Sequence, residues 1–270
     1  MQISARSRLL AVLGDPVQHS LSPLMHNAAI AALGLDAVYV ALKVAPADLQ
    51  VAFAALEATG VSGNVTVPHK LAAAGVLERL SPLARELQAV NAFWPEDGVL
   101  VGDNTDVPGL QAVLQDLEAE GPWLVAGTGG AARAAAATAR EARQTLLVSS
   151  RSSEREAEFI EWARAADVRA ESDDGRRVGL AVNATPLGLS PDDPQPFPAD
   201  RLESGAVALD LVYAPGATDW VRACRARDLR AEDGRHLLVA QGAIAFERFF
   251  QGASAPREVM LAAVERALAG

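Results

Sequence analysis

The sequence has 270 residues, of which 50% are hydrophobic and 21% are charged. This composition is typical of a folded globular protein and argues against a disordered or fibrous chain. Asp and Glu number 34 against 24 Lys and Arg, and the net charge of −10 argues against a nucleic-acid partner, because binding phosphates requires clustered cations.

Cysteine, histidine and the apolar segments narrow the class further. Cys224 is the only cysteine, which excludes an internal disulfide and a multi-thiolate metal site and suits a reducing cytoplasm. No apolar segment approaches the roughly 20 residues that cross a bilayer, so we expect a cytoplasmic protein with no membrane partner. We expect no metal site, because the four histidines are not grouped like ligands: His19, His26, His69 and His236.

Short apolar runs alternate with helical patterns along the whole chain, which predicts an α/β fold with parallel sheets covered by helices. A first βαβαβ unit is predicted from strands at residues 9–13, 38–44 and 63–67 and helices at residues 22–33 and 49–58. Further strands at residues 90–94 and 99–101 flank Pro95-Glu96-Asp97-Gly98, whose residue types favour a hairpin turn.

A second series of strands begins at residue 123. Strands at residues 123–126, 145–149, 180–183 and 206–211 alternate with helices, as in a dinucleotide-binding domain. The last helices, at residues 237–250 and 257–268, have no strand after them and are expected to pack on the first region. The sequence thus predicts a discontinuous α/β substrate-binding domain of residues 1–107 plus 239–270, and a Rossmann-like domain of residues 108–238.

A glycine motif follows the strand at residues 123–126. Gly127-Thr128-Gly129-Gly130-Ala131-Ala132 fits the G-x-G-x-x-G/A pattern of dinucleotide-binding turns. In that pattern the first glycine allows a tight turn, the second lets the backbone approach a pyrophosphate, and the helix N-terminus supplies N–H donors. The motif alone fits an ordinary turn equally well, but the flanking strand and helix favour cofactor binding by Gly127, Gly129, Gly130 and Ala131.

The residues after the next strand indicate which dinucleotide is bound. An NAD-preferring site carries Asp or Glu at this position, whereas this chain has Ser150-Arg151-Ser152. Arg151 can bind a 2′-phosphate through its planar fork of donors, and Ser150, Ser152 and Arg155 can add contacts. The sequence therefore predicts NADP as the cofactor, with solvated loop polarity as the alternative.

Three polar segments of the first region fall near predicted strand ends. Ser20 and Ser22 can donate to a carboxylate, although Ser22 with Pro23 also fits a helix N-cap. Asn64 and Thr66 are predicted to share one face of a strand.

Two charged residues complete these segments. Lys70 stands just past the end of the predicted strand at residues 63–67, and Asp106 ends the segment Gly102-Asp103-Asn104-Thr105-Asp106. Taken singly, Lys70 and Asp106 are best interpreted as a solvated lysine and a capping aspartate, and only their occurrence together with the other motifs changes this balance.

These segments resemble those of shikimate dehydrogenases. HSLSP, NVTVPHK, AVNA, GDNTD, GTGG, VNATPLG, DLVY and GRHLLVAQ occur in the family's order over nearly the whole chain. The resemblance implies an NADP-dependent enzyme that reduces 3-dehydroshikimate to shikimate in aromatic amino-acid biosynthesis. The chain departs from the family at Ser150-Arg151-Ser152, where Asn-Arg-Thr is usual, and at Leu237, where methionine is frequent.

The resemblance also implies roles for individual residues. Lys70 and Asp106 would be the catalytic pair, and Ser20, Ser22 and Tyr213 would hold the substrate carboxylate. The residues implied as contacts of the ring hydroxyls are Asn64, Thr66, Asn91, Asp106 and Gln241. Those implied around the nicotinamide end of the cofactor are Asn183, Thr185, Val212, Gly234 and Leu237.

Several alternatives stay open. One is a quinate/shikimate dehydrogenase with broader substrate or NAD use, and another is a catalytically silent paralogue that senses a small ligand. Retention of Lys70 and Asp106 favours the enzyme. The oligomeric state is open, with a homodimer among the options. Of the remaining residues, Cys224 is predicted to be buried in a helix and His69 to lie at the surface.

Overall fold

In the computed structural model the chain forms two units, each with its own β-sheet. The structure describes residues 3–115, 117, 119, 121–190 and 192–269. The first unit consists of Met1–Asp106 and Leu238–Ala267, and the second of Val107–Leu237 and Leu268–Gly270. Both units combine strands with helices, so the predicted α/β fold class is confirmed.

The first unit begins with alternating strands and helices. Their order is β1 (Arg8–Gly14), α1 (Ser22–Ala32), β2 (Ala37–Lys43), α2 (Leu49–Thr59) and β3 (Ser62–Val65). The predicted βαβαβ unit is confirmed, but β3 ends two residues earlier than expected. The chain already turns there, since the N–H of His69 donates to the carbonyl of Thr66 at 2.9 Å.

A hairpin lies inside the same sheet. The next elements are α3 (Lys70–Val76), β4 (Arg79–Leu80), α4 (Pro82–Leu87), β5 (Ala92–Glu96) and β6 (Val99–Asp103). The sheet order is β2-β1-β3-β5-β6-β4, and β5 is antiparallel to both of its neighbours. The hairpin turn is shorter than predicted, because Pro95 and Glu96 belong to β5. Asp97 and Gly98 form the turn with φ of 54° and 85°, the left-handed conformations that a two-residue hairpin turn requires.

The second unit has a parallel sheet throughout its described strands. Its elements are α5 (Asp106–Gln115), β7 (Trp123–Ala126), α6 (Gly130–Glu141), β8 (Leu146–Ser149), α7 (Ser153–Ala165), β9 (Ala170–Ser172), β10 (Val178–Asn183), β11 (Leu202–Asp210), α8 (Asp219–Arg225) and β12 (Arg230–Glu232). The two last helices of the chain, α9 (Arg235–Phe249) and α10 (Arg257–Leu268), belong mostly to the first unit. The sheet order is β12-β11-β10-β7-β8-β9, the doubly wound order of dinucleotide-binding domains.

Apolar burial explains why most elements were predictable. Val125, Val148, Val182 and Leu209 of the central strands in the second unit are completely buried. The small alanines of α6 form part of the same core and let this helix approach the sheet closely. The edge strands β9 and β12 were not predicted, because each has three residues and mostly polar side chains.

The side chains of Cys224 and of three phenylalanines near the end of the chain are buried. Cys224 is buried in α8, as predicted, and Phe246, Phe249 and Phe250 are buried in or just after α9. None of the helices formed by the described residues has the length and hydrophobicity to span a bilayer. Within the same residues, no group of three or more His, Cys, Asp or Glu side chains is arranged to hold a metal ion.

Gly63 in β3 should tolerate no side chain. A Cβ atom there would clash with the carbonyl oxygen of Ala11 and lie 2.9 Å from Cζ of Phe93. Because a backbone carbonyl cannot move aside, we expect Gly63→Ala to lower the free energy of unfolding by about 3 kcal/mol or more. Urea denaturation followed by circular dichroism measures this loss.

Gly75→Ala is the matched control in the same unit. Gly75 is exposed in α3, and an added Cβ would meet no atom within 4 Å. This substitution should raise the stability by about 0.5–1 kcal/mol, since alanine is the better helix former. Equal stability of the two variants would contradict the steric role of Gly63.

Candidate active site

Four loops of the first unit meet at one edge of its sheet. The carboxyl ends of the parallel strands β1, β3 and β6 lie there, together with the amino end of the antiparallel β5. The N–H of Thr66 donates to the carbonyl of Leu13 at 2.8 Å, and the N–H of Asn91 donates to the carbonyl of Asp103 at 3.0 Å. The reversal of β5 therefore places Asn91 beside the loops that follow β3 and β6.

Lys70 and Asp106 form an ion pair at this edge. Nζ of Lys70 lies 2.6 Å from Oδ2 of Asp106, and the two side chains are 16% and 8% exposed. Each residue is the first of a helix, Lys70 of α3 and Asp106 of α5. An ion pair withdrawn from water in this way is strong only if its remaining polar atoms are also satisfied.

Asn91 satisfies the second oxygen of the Asp106 carboxylate. Its Nδ2 donates to Oδ1 of Asp106 at 2.9 Å, while its Oδ1 accepts from the N–H of Thr105 at 2.6 Å. The backbone N–H of Asp106 donates to Oδ1 of Asn104 at 3.1 Å. Asp106 is thus the first residue of the helix with both oxygens engaged by other side chains, and the alternative that it is only an N-cap is wrong.

Gln241 and Asn64 join the same network. Oε1 of Gln241, on α9, accepts from Nδ2 of Asn91 at 3.2 Å. Nδ2 of Asn64 donates to the backbone carbonyl of Asn91 at 3.0 Å. Direct hydrogen bonds therefore connect five of the residues predicted from the sequence: Asn64, Lys70, Asn91, Asp106 and Gln241.

The hydroxyl-bearing residues lie on the neighbouring loops. Ser22 is the first residue of α1, and the N-cap position belongs to Leu21, so the N-cap alternative for Ser22 is wrong. Oγ of Ser20 accepts from the N–H of Ser22 at 3.3 Å. Thr66 lies just beyond β3, so it does not share a strand face with Asn64 as predicted.

His69 is buried, which contradicts the prediction of a surface histidine. Its side chain is 1% exposed, and Nε2 lies 2.7 Å from the carbonyl oxygen of Val44. A carbonyl oxygen can only accept, so Nε2 carries a proton and donates to it. His69 thereby fixes the start of α3 directly before Lys70. The local sequence gave no sign of this contact, because Val44 lies 25 residues away.

The glycine turn of the second unit follows β7. β7 pairs with β8 on one side and β10 on the other, which is where the strand order reverses and where such sheets bind ligands. Gly127 has φ of 105°, and Gly129 is the N-cap of α6 without any side-chain cap. A Cβ at Gly129 would meet no atom within 4 Å. Open space and uncapped N–H donors, extending into Gly130 and Ala131, fit a dinucleotide pyrophosphate.

In the loop after β8 the serines form local hydrogen bonds and the arginines are exposed. Oγ of Ser152 caps α7 by accepting from the N–H of Arg155 at 3.3 Å, and Oγ of Ser150 accepts from the N–H of Ser152 at 3.3 Å. The side chains of Arg151 and Arg155 are exposed. Neither guanidinium forms a hydrogen bond or ion pair with any other described residue. This loop therefore fits an anionic group such as a 2′-phosphate.

Asp210 organises the loops that were predicted to surround the nicotinamide. Its Oδ1 accepts from Nδ2 of Asn183 at 2.8 Å and from the N–H of Val212 at 3.0 Å, and its Oδ2 accepts from Oγ1 of Thr218 at 2.7 Å. Oδ1 of Asn183 in turn accepts from Oγ1 of Thr185 at 2.6 Å.

No role was predicted for Asp210. Burial raises the pKa of its carboxyl to about 6 despite these donors, and the nearby Asp233 adds to the shift. An acidic residue at the end of an apolar strand, in the segment DLVY, was the available signal.

The remaining predicted residues of the second unit have structural explanations of their own. A Cβ at Gly234 would clash with the carbonyl oxygen of Leu211, so a close approach of backbones requires glycine there. Leu237 is 9% exposed and belongs to the apolar core of the unit. Tyr213 is half-buried and follows β11.

Known proteins resemble this chain over almost its whole length. Residues 12–93 match the shikimate dehydrogenase substrate binding domain, and residues 234–265 match the shikimate 5′-dehydrogenase C-terminal domain. The NADP-dependent shikimate dehydrogenase of Thermosynechococcus vestitus is 39% identical, with 99% of this chain and 98% of that protein covered.

Solved structures agree with this result. Shikimate 5-dehydrogenase of Thermus thermophilus, solved with NADP(H) and shikimate, has a TM-score of 0.87 at 36% identity, covering 96% of this chain and 99% of that one. A shikimate dehydrogenase solved with NADP+ has a TM-score of 0.89 at 31% identity, covering 99% and 98%.

The buried carboxyl of Asp210 should make stability depend on pH. Its folded pKa of about 6 lies above the ordinary value of 3.8, so folding favours the protonated form. This contribution is fully present below about pH 4 and is lost as the pH rises through about 6, a change on the order of 2–3 kcal/mol. The Asn side chain of Asp210→Asn stays neutral at both pH values. The stability of this variant relative to wild type should therefore be higher at about pH 7.5 than at about pH 4.5.

Urea denaturation at the two pH values measures this difference. Asp228→Asn is the control, because Asp228 is exposed in the same unit and its substitution should give the same difference from wild type at both. A difference between wild type and Asp210→Asn that does not change with pH would contradict the role of Asp210.

Proposed function

The chain belongs to the shikimate dehydrogenase family, and from this we infer that it is an NADP-dependent oxidoreductase that reversibly reduces 3-dehydroshikimate to shikimate, a reaction of aromatic amino-acid biosynthesis. The observation that carries the proposal is the buried ion pair of Lys70 and Asp106 inside a network of amide side chains. A carbonyl reduction needs a proton donor held next to the substrate, and this pair supplies one.

The proton of the new hydroxyl group is proposed to come from this pair. NADPH, when bound, supplies the hydride. The ammonium group of Lys70 polarises the substrate carbonyl and gives up a proton, or anchors the oxygen while Asp106 relays the proton. Nζ of Lys70 and Oδ2 of Asp106 are 2.6 Å apart, so a proton can pass directly between them. Asn91 keeps the Asp106 carboxylate turned toward Lys70 by binding its other oxygen.

The substrate is proposed to bind to the first unit. The hydroxyl groups of Ser20 and Ser22 would donate to the carboxylate of the substrate. The Ser22 hydroxyl is suited to this role because it does not cap α1. The ring hydroxyls are proposed to contact the polar side chains at the same sheet edge, namely Asn64, Thr66, Asn91, Asp106 and Gln241.

NADP is proposed to bind to the second unit. The pyrophosphate would lie over Gly129 and the N-terminus of α6, and the 2′-phosphate between the guanidinium groups of Arg151 and Arg155. The loops that Asp210 holds would border the nicotinamide ring. We also propose a cytoplasmic location, because the single thiol is buried and has no cysteine to pair with.

Lys70→Ala tests the catalytic assignment. Oxidation of NADPH in the presence of 3-dehydroshikimate should slow by a factor on the order of 10² to 10⁴, the usual loss when a general acid is removed. The Kd of NADPH, measured by its fluorescence, should stay the same. Lys43→Ala is the matched control, since Lys43 is the only other lysine and is 62% exposed. Unchanged turnover by Lys70→Ala would disprove the assignment.

Kinetics with two substrates and calorimetry separate the alternative functions. Equal kcat/KM for shikimate and quinate would identify an enzyme of broader specificity. Shikimate binding by calorimetry without any NADP-linked turnover would instead identify a ligand-sensing protein. Both results are distinct from the one expected, which is turnover of shikimate with little activity on quinate.

Arg151→Ala tests the preference for NADP. Loss of charge-assisted hydrogen bonds should raise the KM for NADP by about tenfold to a hundredfold and leave the KM for NAD almost unchanged. Initial-rate kinetics with both cofactors measure this. Arg227→Ala, another exposed arginine of the second unit, should change neither constant. An equal rise in both constants would show that Arg151 does not read the 2′-phosphate.

A further inference from the structure

The orientation of the Asn64 amide is fixed by its two neighbours. Its Nδ2 lies 3.0 Å from the backbone carbonyl oxygen of Asn91, which can only accept, so the amide nitrogen faces that way. Its Oδ1 therefore faces Tyr39, whose hydroxyl oxygen is 2.8 Å away. Because Oδ1 can only accept, the Tyr39 hydroxyl is the donor.

Tyr39 is held too tightly to adopt another position. It is 1% exposed in β2, and its ring stacks on that of His26 with centroids 4.3 Å apart and planes inclined by 9°. The side chain of Asn27 donates to the backbone carbonyl of Tyr39 at 2.7 Å and accepts from its N–H at 2.9 Å. Burial also raises the pKa of the Tyr39 hydroxyl, so it remains a donor.

Without this hydroxyl, the Asn64 amide would be held on one side only, by the Asn91 carbonyl. Asn64 is 5% exposed, so its oxygen would lose its donor in a place that water hardly reaches. A flip of the amide would bring two oxygens together at the Asn91 carbonyl, which is unfavourable. Of the two N–H groups of Asn64, one donates to that carbonyl, and the other has no hydrogen-bond partner among the described residues.

We propose that Tyr39 is a positioning residue for substrate binding: its hydroxyl sets the Asn64 amide so that the free N–H of Asn64 donates to a ring hydroxyl oxygen of the substrate. The proposal rests on the proposed function in taking Asn64 as a substrate contact. It adds a residue of β2 to the site. That strand is separated from β3 by β1, and it contributes no predicted contact of its own.

A double-mutant cycle in kinetics tests the proposal. Tyr39→Phe should raise the KM for shikimate by about tenfold, with kcat and the KM for NADP changed much less, because a binding contact is weakened and the proton donor is untouched. Asn64→Ala should raise the same KM, and adding Tyr39→Phe to it should have no further effect. Effects that multiply in the double variant would overturn the proposal.

Ser62→Ala is the matched control. Ser62 lies in β3 two residues before Asn64, is 1% exposed, and its hydroxyl has no hydrogen-bond partner among the described residues. Removing this hydroxyl should leave the KM for shikimate unchanged. A rise as large as that of Tyr39→Phe would show that any loosening of the sheet has this effect, and would overturn the proposal.

Side-chain amide signals separate this proposal from the proposed function. The two Asn64 amide protons can be assigned in a nitrogen-15 spectrum of the free protein by their loss in Asn64→Ala. Both should shift in Tyr39→Phe and stay in place in Ser62→Ala. Wild-type protein without shikimate turnover would disprove the proposed function alone, whereas unshifted Asn64 signals in Tyr39→Phe would disprove the orienting role of Tyr39.

Discussion

The ion pair of Lys70 and Asp106 is the interaction on which the polar network of the candidate active site depends. Removing two charges from water is costly, and their attraction offsets this only when the remaining donors and acceptors are also paired. The chain meets this condition with short-range polar contacts. Asn91 binds the second carboxylate oxygen, and Asn104 accepts from the backbone N–H of Asp106. Apolar residues of equal volume would stabilise the fold as well. The presence of this ion pair is therefore best explained by its proposed role in proton transfer.

In each unit, one small, buried polar side chain at a strand end connects several chain segments by hydrogen bonds. In the first unit, the Asn91 side chain binds Thr105 and Asp106 after β6 and Gln241 of α9. In the second, Asp210 holds the loops that contain Asn183 and Val212 and the start of α8. Asn91 reaches its partners because β5 runs against its neighbours, whereas Asp210 needs no reversed strand in a parallel sheet. Different topologies thus deliver a similar arrangement of several loops around one polar group.

The sequence predicted what short-range patterns determine. Apolar runs located β1 and β7, and glycine with flanking elements located the turn at Gly127. Lys70 and Asp106 were found because charged residues at strand ends are unusual. The N-cap alternative for Ser22 and the surface position predicted for His69 were wrong, because the helix cap and the Val44 contact depend on how loops close in space. Tyr39 was overlooked for a related reason, because its partner Asn64 lies 25 residues away along the chain. Asp210 was overlooked although an acidic residue at the end of an apolar strand was an available signal.

The scarcity of lysine has a consequence for acid chemistry. Lys43 and Lys70 are the only lysines of the sequence, and all other Lys and Arg positions are arginines. A guanidinium group does not release its proton in proteins. Lys43 is mostly in contact with solvent, whereas Lys70 is sheltered. Of the two lysine side chains, only that of Lys70 is therefore shielded from solvent. If the reaction draws a proton from a sheltered ammonium group, that proton has only one residue from which it can come.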